Sequence, residues 1–277
     1  MSVIRIGKSL RMRRLTARGR TVIVAIDHGN AAGYVRGLEN PVEIVKICAA
    51  NGADGILVTP GVLEDAADEV GNLAIILRID GAVSTHGPGG PMRVFCEVEH
   101  AVALGADAVV VNATVGAAHE SDELEKVGRI ASEGRRWGMP VVAEMLSEGM
   151  MANHMDFSGQ GQDQLPPNIA HEVAVASRLG VELGADAIKT RYPGEVDAFR
   201  RMMATMNKPV LIAGGPMRDN SLRSTLELVD EVLRAGADGV VFGRNIWQHS
   251  DPAQALRAVS AMVHDDATLE EALDLGE

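Results

Sequence analysis

Among the five lysines of the chain, Lys189 alone lies inside an apolar run, Gly184-Ala-Asp-Ala-Ile-Lys-Thr-Arg-Tyr-Pro193. The other four fall in the N-terminal segment, on helix-like stretches or in a loop. A charged amine is costly to bury. Burial favours the neutral amine of a lysine, the form that attacks a carbonyl carbon and forms a Schiff base. The alternative is a buried ion pair with an acid on a neighbouring strand. Asp27-His28-Gly29 closes another apolar run and supplies a carboxylate and an imidazole able to move protons around an iminium carbon. The same tripeptide also makes ordinary turns. Two further runs end in Ile212-Ala-Gly-Gly-Pro216 and Phe242-Gly-Arg-Asn245. Glycines before a helix let backbone N–H groups approach an anion, so Gly214, Gly215 and Gly243 are candidates to hold a phosphate, with Arg244 as a charged donor. Tight turns and a salt bridge would use these residues equally well. His86, His119 and His154 lack metal-ligand spacing, and neither a metal nor a cofactor is expected.

These groups need a scaffold that gathers them, and the hydrophobic periodicity describes one. Short apolar runs alternate with amphipathic stretches to the end of the chain, the pattern of a repeated βα unit. Eight strands are predicted: 21–27, 55–60, 73–80, 108–114, 140–146, 187–193, 209–215 and 239–246. Helices are predicted over 41–51, 91–104, 121–137, 168–183, 196–206, 221–235 and 252–263. Strands that are apolar throughout belong in a parallel sheet covered by helices on its outer face. Four helices end in Gly-Ala-Asp, at 52–54, 105–107, 184–186 and 236–238, where the glycine suits a left-handed C-cap. Eight such units in 277 residues fit a single (β/α)8 TIM barrel, and no GxGxxG follows the first strand as a doubly wound sheet would favour. In such a barrel the chemistry sits at the C-terminal strand ends, where Asp27, His28, Lys189 and the glycines fall. A long loop, 147–167, follows strand five and has the length of an active-site lid.

Composition narrows the function classes. The net charge is −12, yet the first 20 residues hold seven basic side chains and no acidic one. The acidic remainder would repel a phosphate backbone, so nucleic acid and anionic membranes are not expected partners. The basic segment 1–20 is expected to pack on the acidic body. No apolar run reaches the roughly 18 residues of a spanning helix, and a cytoplasmic protein is expected. Cys48 and Cys96 lie in helix-like apolar patterns without paired spacing and are expected to be reduced core thiols.

Taken together, Val24-Ala-Ile-Asp-His-Gly29, Gly184-Ala-Asp-Ala-Ile-Lys-Thr190, Ile212-Ala-Gly-Gly-Pro216 and Gly243-Arg-Asn-Ile-Trp-Gln248 resemble the archaeal-type class I fructose-bisphosphate aldolase family. That family includes aminodideoxyheptulosonate synthase and phospho-hydroxypentanedione thiolase. The resemblance spans nearly the whole chain. It implies a Schiff-base lysine at Lys189, acid/base work at Asp27, a phosphate site at Gly214, Gly215, Gly243 and Arg244, a phosphorylated substrate, and a homo-oligomer, often a decamer. One departure stands out. Aldolase and synthase members carry a proton-relaying tyrosine at the end of strand five, where this chain has Leu146. Leucine cannot relay a proton. Glu144, Glu148, His86 or Tyr192 could take over, or the chain could follow the thiolase branch, which also lacks the tyrosine and uses the strand-one histidine, here His28. Aldol chemistry on a phosphorylated ketose is the leading expectation. Acyl transfer to coenzyme A and a non-catalytic sugar-phosphate binder are the alternatives.

Overall fold

A computed structural model describes residues 3–154, 169–217, 219 and 221–275. Eight strands close into a barrel: β1 (Thr21–Ala25), β2 (Gly55–Val58), β3 (Ala74–Arg78), β4 (Ala108–Val115), β5 (Val141–Ser147), β6 (Ala187–Arg191), β7 (Val210–Ala213) and β8 (Gly239–Phe242). Each runs parallel to both neighbours, and β1 pairs with β8 to complete the ring. Side chains alternate across a strand, so every second residue points inward. Ile23, Ala25, Ile76, Val110, Val142 and Val241 fill the interior, while Val22, Val24, Leu77, Val109 and Val240 pack outward against the helices. Both faces of the strands are therefore buried, which is why the runs read as continuously apolar.

The N-terminal end of the barrel is closed by the basic segment. Its helix, Val3–Leu15, inserts Leu15 into the interior cluster with Met12 beside it. Lys8 pairs with Asp186 at 2.7 Å, Arg14 with Asp107 at 3.0 Å and Arg18 with Asp54 at 3.8 Å. These three acids belong to the Gly-Ala-Asp turns. Their glycines, with Gly236, have φ between 77° and 98°, the left-handed region that a Cβ disfavours. Each turn's carboxylate also accepts a backbone N–H at the start of a neighbouring strand: Asp54 from Val22, Asp107 from Ile75, Asp186 from Val141 and Asp238 from Val210.

The structure departs from the expected elements in four places. Residues 91–97 are not helical; Arg93–Val94 forms a two-stranded ribbon with Asp80–Gly81, and the helix is only Val98–Ala103. Antiparallel pairing with Asp80–Gly81 takes up Arg93–Val94, in a stretch whose Val and Phe suit a strand as readily as a helix. Strand β8 ends at Phe242 and turns at Gly243 into the short helix Arg244–Trp247. The 147–167 loop opens with a helix, Glu148–His154, and its remainder lies outside the described residues. Cys96 precedes its helix rather than lying on one, though both thiols are free and buried. Burial pushes the Cys48 thiol up to about 12, which keeps it unreactive.

Candidate active site

The inward face changes character near the C-terminal end of the barrel. Apolar layers give way to Arg78 on β3, Asn112 on β4, Glu144 on β5 and Lys189 on β6, all at most 6% exposed. Strand register places Asn112 beside Glu144 and Glu144 beside Lys189, so three polar residues form a row across adjacent strands. The ion pairs follow. Lys189 Nζ lies 2.6 Å from Glu144 Oε1, and Arg78 bonds the other oxygen of that carboxylate. Arg78 also donates to Asp27 at 2.8 Å and to Asp80 at 3.1 Å. Asp80 in turn accepts Lys126 at 2.6 Å and the Asn112 backbone N–H at 2.8 Å. Six buried charges thus interlock, three of each sign, an arrangement that offsets the desolvation of each.

The fields in this network are directional. Burial alone would raise the Asp27 carboxyl and lower the Arg78 guanidinium, but their mutual attraction outweighs it. Asp27 is held below the ordinary carboxylate range by Arg78 and Lys189, and Arg78 is pushed up by Glu144, Asp27 and Asp80. His28 behaves oppositely. Burial lowers it to about 4; Asp27, 3.7 Å away, resists this, while Arg244 and Lys189 add to it. The imidazole is therefore neutral at pH 7. Its ring stands edge-on to Trp247, 5.1 Å between centroids, and the Trp247 indole N–H donates to Ala25 O, joining the β8 turn to β1.

An open pocket of about 650 Å³, its mouth included, lies above this layer. All seven residues singled out in the sequence line it: Asp27, His28, Lys189, Gly214, Gly215, Gly243 and Arg244. At Gly215, φ is +69° and a Cβ would meet the Arg191 guanidinium at 2.6 Å. At Gly243 a Cβ would meet the His28 ring at 2.5 Å. The missing Cβ lets the backbone at Gly215 approach the Arg191 guanidinium, and at Gly243 the neutral His28 ring, closely. Among the described residues no group of three His, Cys, Asp or Glu is arranged to hold a metal ion.

Sequence reasoning missed Arg78, Asp80, Asn112 and Lys126. For Arg78 and Asp80 the signal was available only as charge at the end of an otherwise apolar strand, Leu77-Arg-Ile-Asp80; Asn112 and Lys126 acquire their meaning only from the fold. Three proposed substitutes for the strand-five tyrosine do not line this pocket. Tyr192 packs edge-on against Phe199, 5.7 Å away, in the helical layer. His86 and Glu148 are exposed. Glu144 does line it, and Leu146, two residues on, is fully buried.

A family model for the DeoC/LacD family aldolases matches residues 21–249. The chain belongs to the DeoC/LacD aldolase family. It is 35% identical over 268 residues to 2-amino-3,7-dideoxy-D-threo-hept-6-ulosonate synthase of Halobacterium salinarum, covering 96% of this chain and 95% of that one. It is 32% identical over 271 residues to the class 1 fructose-bisphosphate aldolase of Thermoproteus tenax, covering 95% and 97%. An archaeal fructose-1,6-bisphosphate aldolase, solved with its catalytic lysine covalently bound to the carbinolamine intermediate, is similar in structure. Its TM-score is 0.79 at 29% identity, over 93% of this DeoC/LacD aldolase and 99% of that chain. The expected barrel and family are borne out, and acyl transfer draws no support from these relatives.

Proposed function

We propose that this barrel is a Schiff-base aldolase that makes or cleaves a C–C bond in a phosphorylated ketose, with Lys189 as the nucleophile. The observation that carries the reading is a buried lysine on β6, facing a pocket shared with Asp27, His28 and the glycine turns that follow β7 and β8. The Lys189 amine adds to the substrate ketone, water leaves, and a protonated iminium results. When the neighbouring C–C bond breaks, its electron pair moves into the iminium to give an enamine, and the hydroxyl proton of the departing carbon goes to a base. Asp27, kept ionised by Arg78, and neutral His28, just past the C-terminal end of β1, are the proton acceptors. The enamine then takes a proton at carbon, and water returns the amine and the ketone. The substrate phosphate rests on the backbone of Gly214, Gly215 and Gly243, with Arg244 supplying charge. The resemblance supports a cytoplasmic homo-oligomer as the working form, checked by light scattering.

Borohydride trapping with dihydroxyacetone phosphate tests the reading. A stable adduct on the Lys189 peptide is expected in the wild type and none in Lys189→Ala. Wild-type retro-aldol activity in Lys189→Ala would refute it.

A further inference from the structure

The loss of the strand-five phenol leaves a chemical vacancy that the structure fills. A lysine ammonium cannot attack a carbonyl until it sheds a proton, and the hydroxyl of the resulting carbinolamine cannot leave until it gains one. Both transfers need a group within hydrogen-bond reach of Nζ and of an oxygen two bonds from it. Resting on the reading above, we propose that Glu144 is the acid–base catalyst of Schiff-base formation at Lys189.

Three observations carry this. Glu144 Oε1 is 2.6 Å from Lys189 Nζ, and the two residues are register partners on β5 and β6, so the approach is set by strand pairing rather than by a mobile side chain. The second oxygen is held by Arg78, whose remaining nitrogens are bound to Asp27 and Asp80, the latter fixed by Lys126. That clamp leaves Oε1 as the edge turned to the amine. Leu146 offers no proton, and Tyr192 is turned into the helical layer.

Glu144 carboxylate takes one proton from the Lys189 ammonium, giving a neutral amine and a carboxylic acid. The amine adds to the ketone; the N–C bond forms, the C=O π pair moves to oxygen, and a proton passes from nitrogen to that oxygen through the carboxyl. Glu144 then gives its proton to the carbinolamine hydroxyl, the C–O bond breaks, and water leaves as the nitrogen lone pair closes the iminium. Glu144 ends as the carboxylate it began as, facing a cation that replaces the ammonium one for one. C–C bond cleavage remains with Asp27 and His28, which follow β1.

The test measures the rate at which a borohydride-trappable Lys189 adduct forms from dihydroxyacetone phosphate, across pH, in wild type, Glu144→Gln and Glu144→Asp. Glu144→Gln is expected to slow adduct formation by at least ~100-fold and to move its pH dependence to the alkaline side, where solvent hydroxide removes the proton instead. The charged and titratable groups facing Glu144 are Lys189, Arg78, Asp27 and His28. Glu144→Asp keeps the charge but shortens the reach, and is expected to slow the step about tenfold with the wild-type profile retained. Circular dichroism and melting establish that each variant is folded. A folded Glu144→Gln protein that forms adduct at the wild-type rate and pH dependence overturns the proposal. If Glu144→Gln does not fold, Glu144→Asp decides: adduct at the undiminished wild-type rate overturns it. A wild type that forms no adduct overturns the Lys189 reading itself, so the two failures are distinct.

Discussion

Replacing Arg244 by Met removes a buried cation from the rim of the glycine turns. A charge-assisted hydrogen bond to phosphate is worth about 1.5–3 kcal/mol. Arg244→Met is therefore expected to raise KM for a phosphorylated ketone roughly 10- to 100-fold with a smaller effect on kcat, and to change turnover of the unphosphorylated ketone far less. Steady-state kinetics on the substrate pair checks this. Gly215→Ala should act on the same site by a different route. Its φ of +69° disfavours any Cβ, and the added carbon would press on Arg191. A raised KM together with a lowered melting temperature is expected. At this scale the sequence was informative where one residue carried its own signal: a lysine in an apolar run, an Asp-His pair, glycines at strand ends. It was silent on Arg78, because the meaning of that residue lies in acids 51 and 66 positions away. Glu144 was one option among four until register set it beside Lys189.

Elements, rather than residues, explain why the polar layer sits where it does. The four Gly-Ala-Asp turns precede β2, β4, β6 and β8, and their carboxylates bind backbone N–H groups in the first two residues of β1, β3, β5 and β7. Every odd strand is thereby pinned to an even one, and the strand stagger that aligns Asn112, Glu144 and Lys189 starts from these pins. Asp186 has a double role, accepting Val141 N–H and Lys8. Asp186→Ala should cost about 1–3 kcal/mol by leaving the amide unsatisfied. Urea unfolding at pH 7 checks the loss, and Lys8→Met, which spares the amide, should cost less. The repeating turns and strands were legible because periodicity and capping are local. The stretch 91–97 was misread because its ribbon pairing with Asp80–Gly81 is non-local, and its few apolar residues suited either period.

For the whole molecule, pH enters through His28. Its imidazole titrates at about 4 when folded, against 6.5 ordinarily, chiefly because it is buried. Between those values the unfolded chain binds a proton that the folded chain does not. The associated stability is thus complete above pH 6.5 and is lost as the pH falls toward 4, by up to about 3 kcal/mol. Denaturant midpoints measured from pH 7 to 4 should fall more steeply for the wild type than for His28→Asn. The basic segment has a consequence of another kind. Lys8 and Asp186 are 178 residues apart, and Arg14 and Asp107 are 93 apart. Such separations slow folding, since loop-closure entropy is met before the contacts form. The helix Val3–Leu15 precedes in sequence every strand whose residues it packs on, so it can dock only once they are in place. Until β8 has joined β1, Met12 and Leu15 have no closed barrel to enter and remain an adhesive surface on a nascent chain. Trp247, which spans the β1–β8 seam, is a built-in fluorophore for timing that closure.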